Sequence, residues 1–149
     1  MAHYAENRKA RFNYEILEKY EAGIELLGME VKSVRSGRMS LEGAFVVIRG
    51  GEAFLINAGI PPYQPNNTLK DYDSLRNKKL LLTKKEIATL AGSEKNKSLT
   101  IVPISVYNKG RKIKVEIALV KGKKKQDKRE SIKKRETDRE IRREYSAKG

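Results

Sequence analysis

Alternation of polar and apolar residues marks the clearest strand in the second half of the chain. Residues 112–119 alternate at the period of a strand with one buried face. Residues 99–107 are also rich in strand formers, and Asn108-Lys109-Gly110 supplies turn residues between the two segments. We therefore predict an antiparallel hairpin. Because proline cannot donate to a strand ladder, Pro103 predicts an edge or a bulge.

Two further strand regions lie in the first half. Residues 44–48 and 53–56 are apolar runs joined by Arg49-Gly50-Gly51-Glu52, which predicts a second hairpin with strands apolar on both faces. Residues 14–27 mix apolar and acidic side chains. Their periodicity fits either a strand or a helix, and we predict a strand.

Helix signals are fewer. Thr83 can cap a helix, Glu86 completes a capping box, and Gly92 is placed to end the helix. A shorter helix is expected over residues 31–34. Residues 58–76 contain three prolines and few apolar side chains, so we expect a mobile surface loop there.

Together these elements indicate a mainly β fold. Five or six short strands with one or two short helices favour a small antiparallel OB-like closed barrel, with a flat β-sandwich as the structural alternative. Residues 1–120 would form this body and residues 121–149 a basic C-terminal tail. The tail has few large apolar side chains and many helix formers, so we expect it to be disordered when free and helical on a polyanionic partner.

The charge of the chain is strongly positive and unevenly distributed. The formal net charge is +14, from 33 Lys and Arg against 19 Asp and Glu. Residues 121–149 contain 13 basic and 6 acidic side chains, a net of +7, and the other 120 residues also carry +7. This excess favours nucleic acid as a partner. An anionic membrane surface ranks last because the tail offers few apolar anchors.

Chemistry-bearing motifs are scarce. The chain has no Cys, so disulfides, thiolate zinc sites and a cysteine nucleophile are excluded, and a reducing compartment such as the cytoplasm is expected. His3 is the single histidine, and no Walker, G-x-G-x-x-G or G-x-S-x-G motif occurs. No apolar run resembles a signal peptide or a bilayer span. We therefore expect neither an enzyme, nor a cofactor or metal site, nor a membrane protein.

Seven short motifs follow one another along nearly the whole chain. They are Asn7-Arg8-Lys9-Ala10-Arg11 and the segments 20–26, 30–35, 49–55, 60–62, 79–82 and 121–129. Each is weak alone, but the ordered series is specific. It resembles the SsrA-binding protein (small protein B) family of bacterial trans-translation.

The resemblance implies a particular function. An OB-like closed barrel would hold the tRNA-like domain of transfer-messenger RNA and escort it to ribosomes stalled on truncated messages. The basic tail would enter the empty mRNA channel near the decoding centre of the small subunit and become helical there. Alanyl-tRNA synthetase, which charges the RNA, and elongation factor Tu, which delivers it, would be indirect partners. The protein is expected to act as a monomer.

The family's RNA-contacting positions fall on Asn7, Glu21 and Leu81. Each has a plainer alternative: Asn7 could cap a turn, Glu21 could pair with Lys or Arg, and Leu81 could lie in the core. An acidic group repels phosphates, so Glu21 would accept hydrogen bonds from a base or ribose, or orient a basic side chain. Phosphate contacts are expected from Arg8, Lys9, Arg11 and Lys32.

The resemblance also assigns ribosome contacts to the tail, at Lys123, Lys124, Lys125, Gln126, Lys128 and Arg129 and, further on, at Ile141, Arg142 and Arg143. Two positions depart from the family pattern. Met29 stands where many members carry Trp, and Gln126 stands where they carry an aromatic residue or His, which weakens the expectation of stacking on ribosomal RNA. The alternative function is a structural ribosomal protein whose barrel and tail pack permanently against ribosomal RNA.

Overall fold

The computed structural model describes residues 3–64 and 72–122, apart from the side chain of Arg11. Within these ranges the chain is mainly β with short helices, as predicted. The elements are β1 (His3–Glu6), α1 (Arg8–Asn13), β2 (Tyr14–Ile24), α2 (Gly28–Arg35), β3 (Phe45–Arg49), β4 (Glu52–Ile56), β5 (Lys78–Leu81), α3 (Lys84–Glu94), β6 (Leu99–Lys109) and β7 (Lys112–Gly122).

All strand pairings are antiparallel. They run in the order β1-β6-β3-β4-β5-β2-β7, and β7 also pairs with β6. The pairings of β2 to β7 therefore form a circuit in which each strand has two neighbours from this set, while β1 adds to the free part of the β6 edge. The side chains turned into this circuit form the main core, which includes Ala22, Leu55, Ile101, Val115 and Ile117.

The predicted β6–β7 hairpin is confirmed. Lys109 pairs with Lys112 across the turn, where Gly110 adopts a positive φ of 63°. The register shifts between Pro103 and Ser105, which confirms a bulge at the proline. Since β6 pairs with β7 along its length and with β1 and β3 on its other side, the bulge accommodates a proline inside a paired strand.

The second hairpin and the first long strand are also confirmed. Phe45 pairs with Ile56 at the open end of the β3–β4 hairpin, and Gly50 and Gly51 adopt positive φ at its turn. β2 extends over Tyr14–Ile24, so the ambiguous segment is a strand. A short helix at residues 31–34 was predicted, and α2 contains it.

Other local predictions need correction. The capping box of Thr83 and Glu86 is present, but α3 continues through Gly92 to Glu94. The reason is tertiary, because the carboxylate of Glu94 accepts hydrogen bonds from the backbone N–H of Ile48 and from Arg49, at 2.8 and 2.9 Å, and so holds the last turn against β3.

The sequence reading also missed β1, α1 and β5. The described residues therefore contain seven strands, where five or six were expected. β5 escapes recognition because its inward residues are Lys78 and Leu80, and a buried lysine breaks the apolar alternation.

The segment predicted as a surface loop is anchored at both described ends. Ala58 and Ile60 are fully buried, contrary to the prediction. The Lys78 ammonium, itself fully buried, donates to the carbonyl oxygens of Ala58 at 2.8 Å and Arg76 at 2.7 Å. One lysine thus joins the two ends of the loop. Part of the predicted loop, residues 65–71, lies outside the described residues.

A buried carboxylate fixes α2 to the same loop. Glu30 Oε1 accepts from the Leu27 backbone N–H at 2.7 Å and from Arg76 at 2.5 Å, and Oε2 accepts from the Tyr72 hydroxyl at 3.0 Å. Burial by itself would raise the pKa of Glu30, but these donors outweigh it and hold the pKa below its ordinary value. The first residues of α2 are therefore held in one position relative to the loop that precedes β5.

A second, smaller core lies outside the circuit of strands. Helix α1 covers part of the outer face of β2, β7 and β6 and buries Ala10 there. The other members of this cluster are Val102, Ile104, Ala118 and Val120, with Tyr14 and Ile16 packed against it. Among the described residues, α1 leaves the part of this outer surface around Glu21 uncovered.

Candidate nucleic-acid interface

The uncovered outer face of β2 and β7 carries polar side chains. Ala22 and Val115 are fully buried in the main core. Because side chains alternate between the faces of a strand, their neighbours Glu21 and Gly23 in β2 and Lys114 in β7 lie on the outer face. This surface, together with Leu81 and with Tyr107 and Lys109 of β6, is called the outer face below.

Glu21 is held on the outer face by two donors. The Tyr107 hydroxyl donates to Oε2 at 2.5 Å, and the Lys109 ammonium donates to Oε1 at 3.0 Å. The bond from Tyr107 is the main reason that the pKa of Glu21 lies below its ordinary value, and Lys109 adds to it. Burial and the Glu21 carboxylate raise the pKa of Tyr107, which keeps its hydroxyl protonated as a donor.

This geometry makes Glu21 an ionised and oriented acceptor. Its side chain is 37% exposed, and each carboxylate oxygen accepts one of these two bonds, which leaves both oxygens with capacity for a further donor. The pairing with Lys109 matches the plainer alternative given for Glu21, and it equally fits a role in orienting a basic side chain.

Leu81 lies on the outer face and not in the core. It pairs with Gly23 of β2, and 49% of its surface is exposed. A β-carbon built on Gly23 would lie 3.2 Å from Cβ of Leu81, so the glycine provides the space that the leucine occupies. The structure thereby brings together Glu21 and Leu81, two positions that are 60 residues apart in the chain.

Asn7 has a structural role of its own. Its Oδ1 accepts from the backbone N–H of Ala10 at 3.2 Å, which caps α1, and its Nδ2 donates to the carbonyl oxygen of Pro103 at 2.9 Å. The side chain is buried. Asn7 therefore fixes the start of α1 against β6, and through α1 it sets the position of Arg8.

The predicted phosphate-contacting residues do not form one cluster around Glu21. The chain leaves α1 at Tyr14, which pairs with Gly122, whereas Glu21 pairs with Glu116. Six residues of β7 separate these levels, roughly 20 Å along the strand. The C-terminal end of α1 is thus remote from Glu21. The side chain of Arg11 is not among those that the structure describes.

The other predicted cations are exposed. Lys9 forms an ion pair with Glu42 at 2.5 Å, with both side chains mostly in solvent, so a phosphate would have to compete with Glu42 for it. Arg8 is exposed next to the Asn7 cap, and Lys32 is exposed on α2. Both are accessible to a phosphate.

The sequence reading missed Tyr107, Lys109 and Lys114. Tyr107 and Lys109 lie 86 and 88 positions from Glu21, so only the pairing of β2, β7 and β6 joins them. The alternation of β7 did carry a signal for Lys114, because it placed Lys112, Lys114 and Glu116 on the wet face of that strand.

The described structure ends at Gly122. All predicted ribosome-contacting positions lie outside it: Lys123, Lys124, Lys125, Gln126, Lys128, Arg129, Ile141, Arg142 and Arg143.

The described ranges contain neither a metal-binding cluster nor a membrane-spanning helix. Among residues 3–64 and 72–122, no three or more His, Asp or Glu side chains are grouped so as to hold a metal ion. No helix within the same ranges has the length and apolar character needed to cross a membrane.

Comparison with known proteins gives a consistent result. The family model described as SmpB protein matches residues 4–147. An SsrA-binding protein of Sulfurihydrogenibium sp. is 53% identical over 144 residues, which is 97% of this chain and 94% of the relative. An SsrA-binding protein of Gloeothece citriformis is 51% identical over 138 residues, covering 93% of this chain and 89% of the relative.

A solved structure agrees with these matches. It comes from work described as "tmRNA-SmpB: a journey to the center of the bacterial ribosome", and it superposes with a TM-score of 0.68 at 43% identity, covering 85% of this chain and 92% of that one. Sequence and fold therefore match the same family over nearly their whole length. The chain belongs to the SmpB protein family.

Proposed function

We propose that this protein binds the tRNA-like domain of transfer-messenger RNA and escorts it to stalled ribosomes for trans-translation. The observation that carries the proposal is that Glu21, oriented by Tyr107 and Lys109, lies on the same exposed face as Leu81. Relatives about half identical to this chain are named SsrA-binding proteins, and the similar solved structure concerns tmRNA and SmpB in the ribosome. The protein has no catalytic step in this account and needs no cofactor.

In this proposal the outer face contacts the RNA through complementary groups. The Glu21 carboxylate accepts hydrogen bonds from a ribose hydroxyl or a base amino group, while Lys109 neutralises the repulsion between the carboxylate and nearby phosphates. Leu81 packs against an exposed base or sugar. Arg8, Lys9 and Arg11 on α1 and Lys32 on α2 contact phosphates at a distance from Glu21, and Asn7 acts by positioning α1.

The circuit of strand pairings forms, in the proposal, an OB-like closed barrel that serves as a rigid platform for the RNA. Residues 1–120 are the RNA-binding body and residues 121–149 the ribosome-contacting tail. Gly122, the second residue of this tail and the last of β7, pairs with Tyr14 at the opposite end of β2 from Glu21. This separation supports a division of labour, because the tail starts at the end of the body remote from Glu21 and Leu81.

The tail is proposed to enter the empty mRNA channel near the decoding centre, and to pass there from a disordered to a helical state. Its net charge of +7 in 29 residues supports a polyanionic site. Alanyl-tRNA synthetase and elongation factor Tu are the indirect partners, and the protein acts as a cytoplasmic monomer.

The RNA that copurifies with the protein tests the central claim. Tagged protein is isolated from bacterial cells, and the bound RNA is sequenced. One dominant species with a tRNA-like end is expected. A sample dominated by ribosomal RNA would instead support the structural ribosomal protein.

Truncation tests the division of labour. A chain that ends at Gly122 should bind transfer-messenger RNA with an affinity within about twofold of the full chain, because the outer face is intact, yet fail to support tagging on stalled ribosomes. Parallel loss of RNA binding and rescue would contradict the assignment of two roles to two segments.

A further inference from the structure

A groove with a volume of about 330 Å³ opens beside the outer face. Gly23 and Leu81 line one side of it and so belong to both surfaces. Further apolar side chains complete its walls, namely Ile24 at the end of β2, Leu26 just after it, Val31 of α2 and Ile113 of β7. The groove is therefore built from segments distant in sequence that meet at one end of the strand circuit.

Four cations stand around these apolar walls: Arg35, Arg111, Lys112 and Lys114. No acidic residue lines the groove, and none of the four takes part in an ion pair within the described part of the chain. The Arg35 guanidinium donates to the carbonyl oxygen of Arg111 at 3.0 Å, which ties the end of α2 to the β6–β7 turn. The charges thus surround an apolar recess without being paired to a carboxylate at ion-pair distance, although Lys114 is near enough to Glu21 to help lower the pKa of that carboxyl group.

We infer that this groove accepts one unstacked nucleobase of the bound RNA, with the flanking phosphates on the four cations. The inference rests on the proposed function and names the ligand of a site adjoining Glu21. Proteins read RNA mainly at single-stranded loops, where splayed bases pack on side chains and on arginine planes. The volume of the groove lies at the small end of the range for ligand-binding pockets. It can hold one base but not an RNA helix.

Continuity with Glu21 supports a nucleotide rather than an unrelated ligand. Gly23 pairs with both Leu81 and Lys114, and Glu21 lies two residues before it on the same face. A strand of RNA crossing this face would place one base in the groove and the next ribose near the Glu21 carboxylate. An acidic peptide would satisfy the cations, but its charged groups have no use for the apolar walls, so it serves below as the competing outcome.

Methyl NMR spectroscopy of the full-length protein tests the groove directly. The probes are the four common ribonucleoside 5′-monophosphates, with ribose 5-phosphate as the baseless control. Saturable shifts of the Val31, Leu81 and Ile113 methyl groups are expected with at least one nucleotide at millimolar concentration, and none with ribose 5-phosphate. Replacing Lys112→Gln should weaken nucleotide binding about three- to fivefold. The matched Lys85→Gln, which removes an exposed lysine of α3, should leave it unchanged.

Three results would overturn the inference. Equal shifts with ribose 5-phosphate would mean that only phosphate is bound. No saturable shift up to about 10 mM would mean that the groove has no useful affinity for a base. Shifts of these methyl groups with a glutamate-rich peptide alone would identify a protein-docking surface. Binding of transfer-messenger RNA by the full-length protein is measured in parallel. If the RNA binds but the nucleotides cause no shifts, only the assignment of the groove to a nucleobase is refuted. If the RNA does not bind, the proposed function is refuted.

Discussion

Gly23 and Leu81 meet so closely across the pairing of β2 with β5 that a β-carbon on the glycine would lie 3.2 Å from Cβ of the leucine. Since ordinary contacts of this kind begin at 3.4 Å, a side chain at Gly23 requires Leu81 to move by a few tenths of an ångström. Leu81 is nevertheless half exposed. The contact therefore fixes an outward-facing leucine and fills no part of the core.

Gly23→Ala is predicted to disturb both stability and RNA binding. The new methyl group must displace Leu81 and the end of β5, at a cost of about 1 kcal/mol in the free energy of unfolding. Affinity for transfer-messenger RNA should fall as well, because Leu81 moves. Urea denaturation and filter binding measure the two effects.

Gly92→Ala provides the matched control. Gly92 is exposed in the interior of α3, where a β-carbon meets nothing within 4 Å. The change should raise the free energy of unfolding by about 0.5–1 kcal/mol and leave RNA binding unaltered. Destabilisation of equal size by both substitutions would show that the Leu81 contact is not the cause.

Tyr107→Phe is predicted to weaken RNA binding without loss of fold. The hydrogen bond that the Tyr107 hydroxyl donates is the main cause of the lowered pKa of Glu21, so its loss should move that pKa up towards the ordinary value. The carboxylate would then be held by Lys109 alone. NMR titration of the Glu21 carboxyl group follows the pKa, and filter binding follows the affinity.

Tyr20→Phe is the control for this change. It removes an equivalent hydrogen bond, which the Tyr20 hydroxyl donates to the Glu18 carboxylate on the same strand. We expect RNA affinity to stay constant. If both phenylalanine variants lost affinity to the same extent, orientation of Glu21 would not explain the effect.

The stability of the protein should depend on the protonation of Glu30. Its pKa in the folded chain lies below the ordinary value of 4.5, so its charged form stabilises the fold above about pH 4.5, and this contribution is lost as the pH falls through the folded pKa. Glu30→Gln should lower the free energy of unfolding by about 2 kcal/mol at neutral pH, because Arg76 loses a buried partner.

Comparison of the two pH profiles isolates the Glu30 contribution. The unfolding free energy of the Glu30→Gln variant should fall less between pH 5 and 3 than that of the unaltered protein. Glu42→Gln, which breaks the exposed pair with Lys9, should leave the profile nearly unchanged. Identical slopes for all three proteins would refute the assignment.

Lys78→Met is predicted to loosen the loop. The substitution keeps most of the volume but leaves the carbonyl oxygens of Ala58 and Arg76 without their shared donor, which should cost about 2 kcal/mol. Lys79→Met removes the adjacent lysine, whose ion pair with Glu52 is partly exposed, and should cause no resolvable change. Chemical denaturation measures the free energy of unfolding of both variants. An unchanged value for Lys78→Met would disprove the anchoring role.

Several elements were determined by local sequence. The alternation of residues 112–119, the turn at Gly110 and the paired glycines at 50 and 51 depend only on near neighbours, so both hairpins could be predicted. The capping box of α3 is equally local. The ordered motifs indicated the family, and the comparisons confirm it.

Tertiary structure alone decided which side chains lie on the outer face and which donors they contact. Whether Leu81 is core or exposed depends on which strand lies beside β5, and the donors to Glu21 come from a strand more than 80 residues away. β5 itself escaped prediction because its buried lysine is satisfied by two carbonyl groups of the preceding loop, and one of them, at Ala58, lies 20 residues away in the chain. Periodicity reports which side chains prefer burial, but long-range pairing determines which partners make burial or exposure stable.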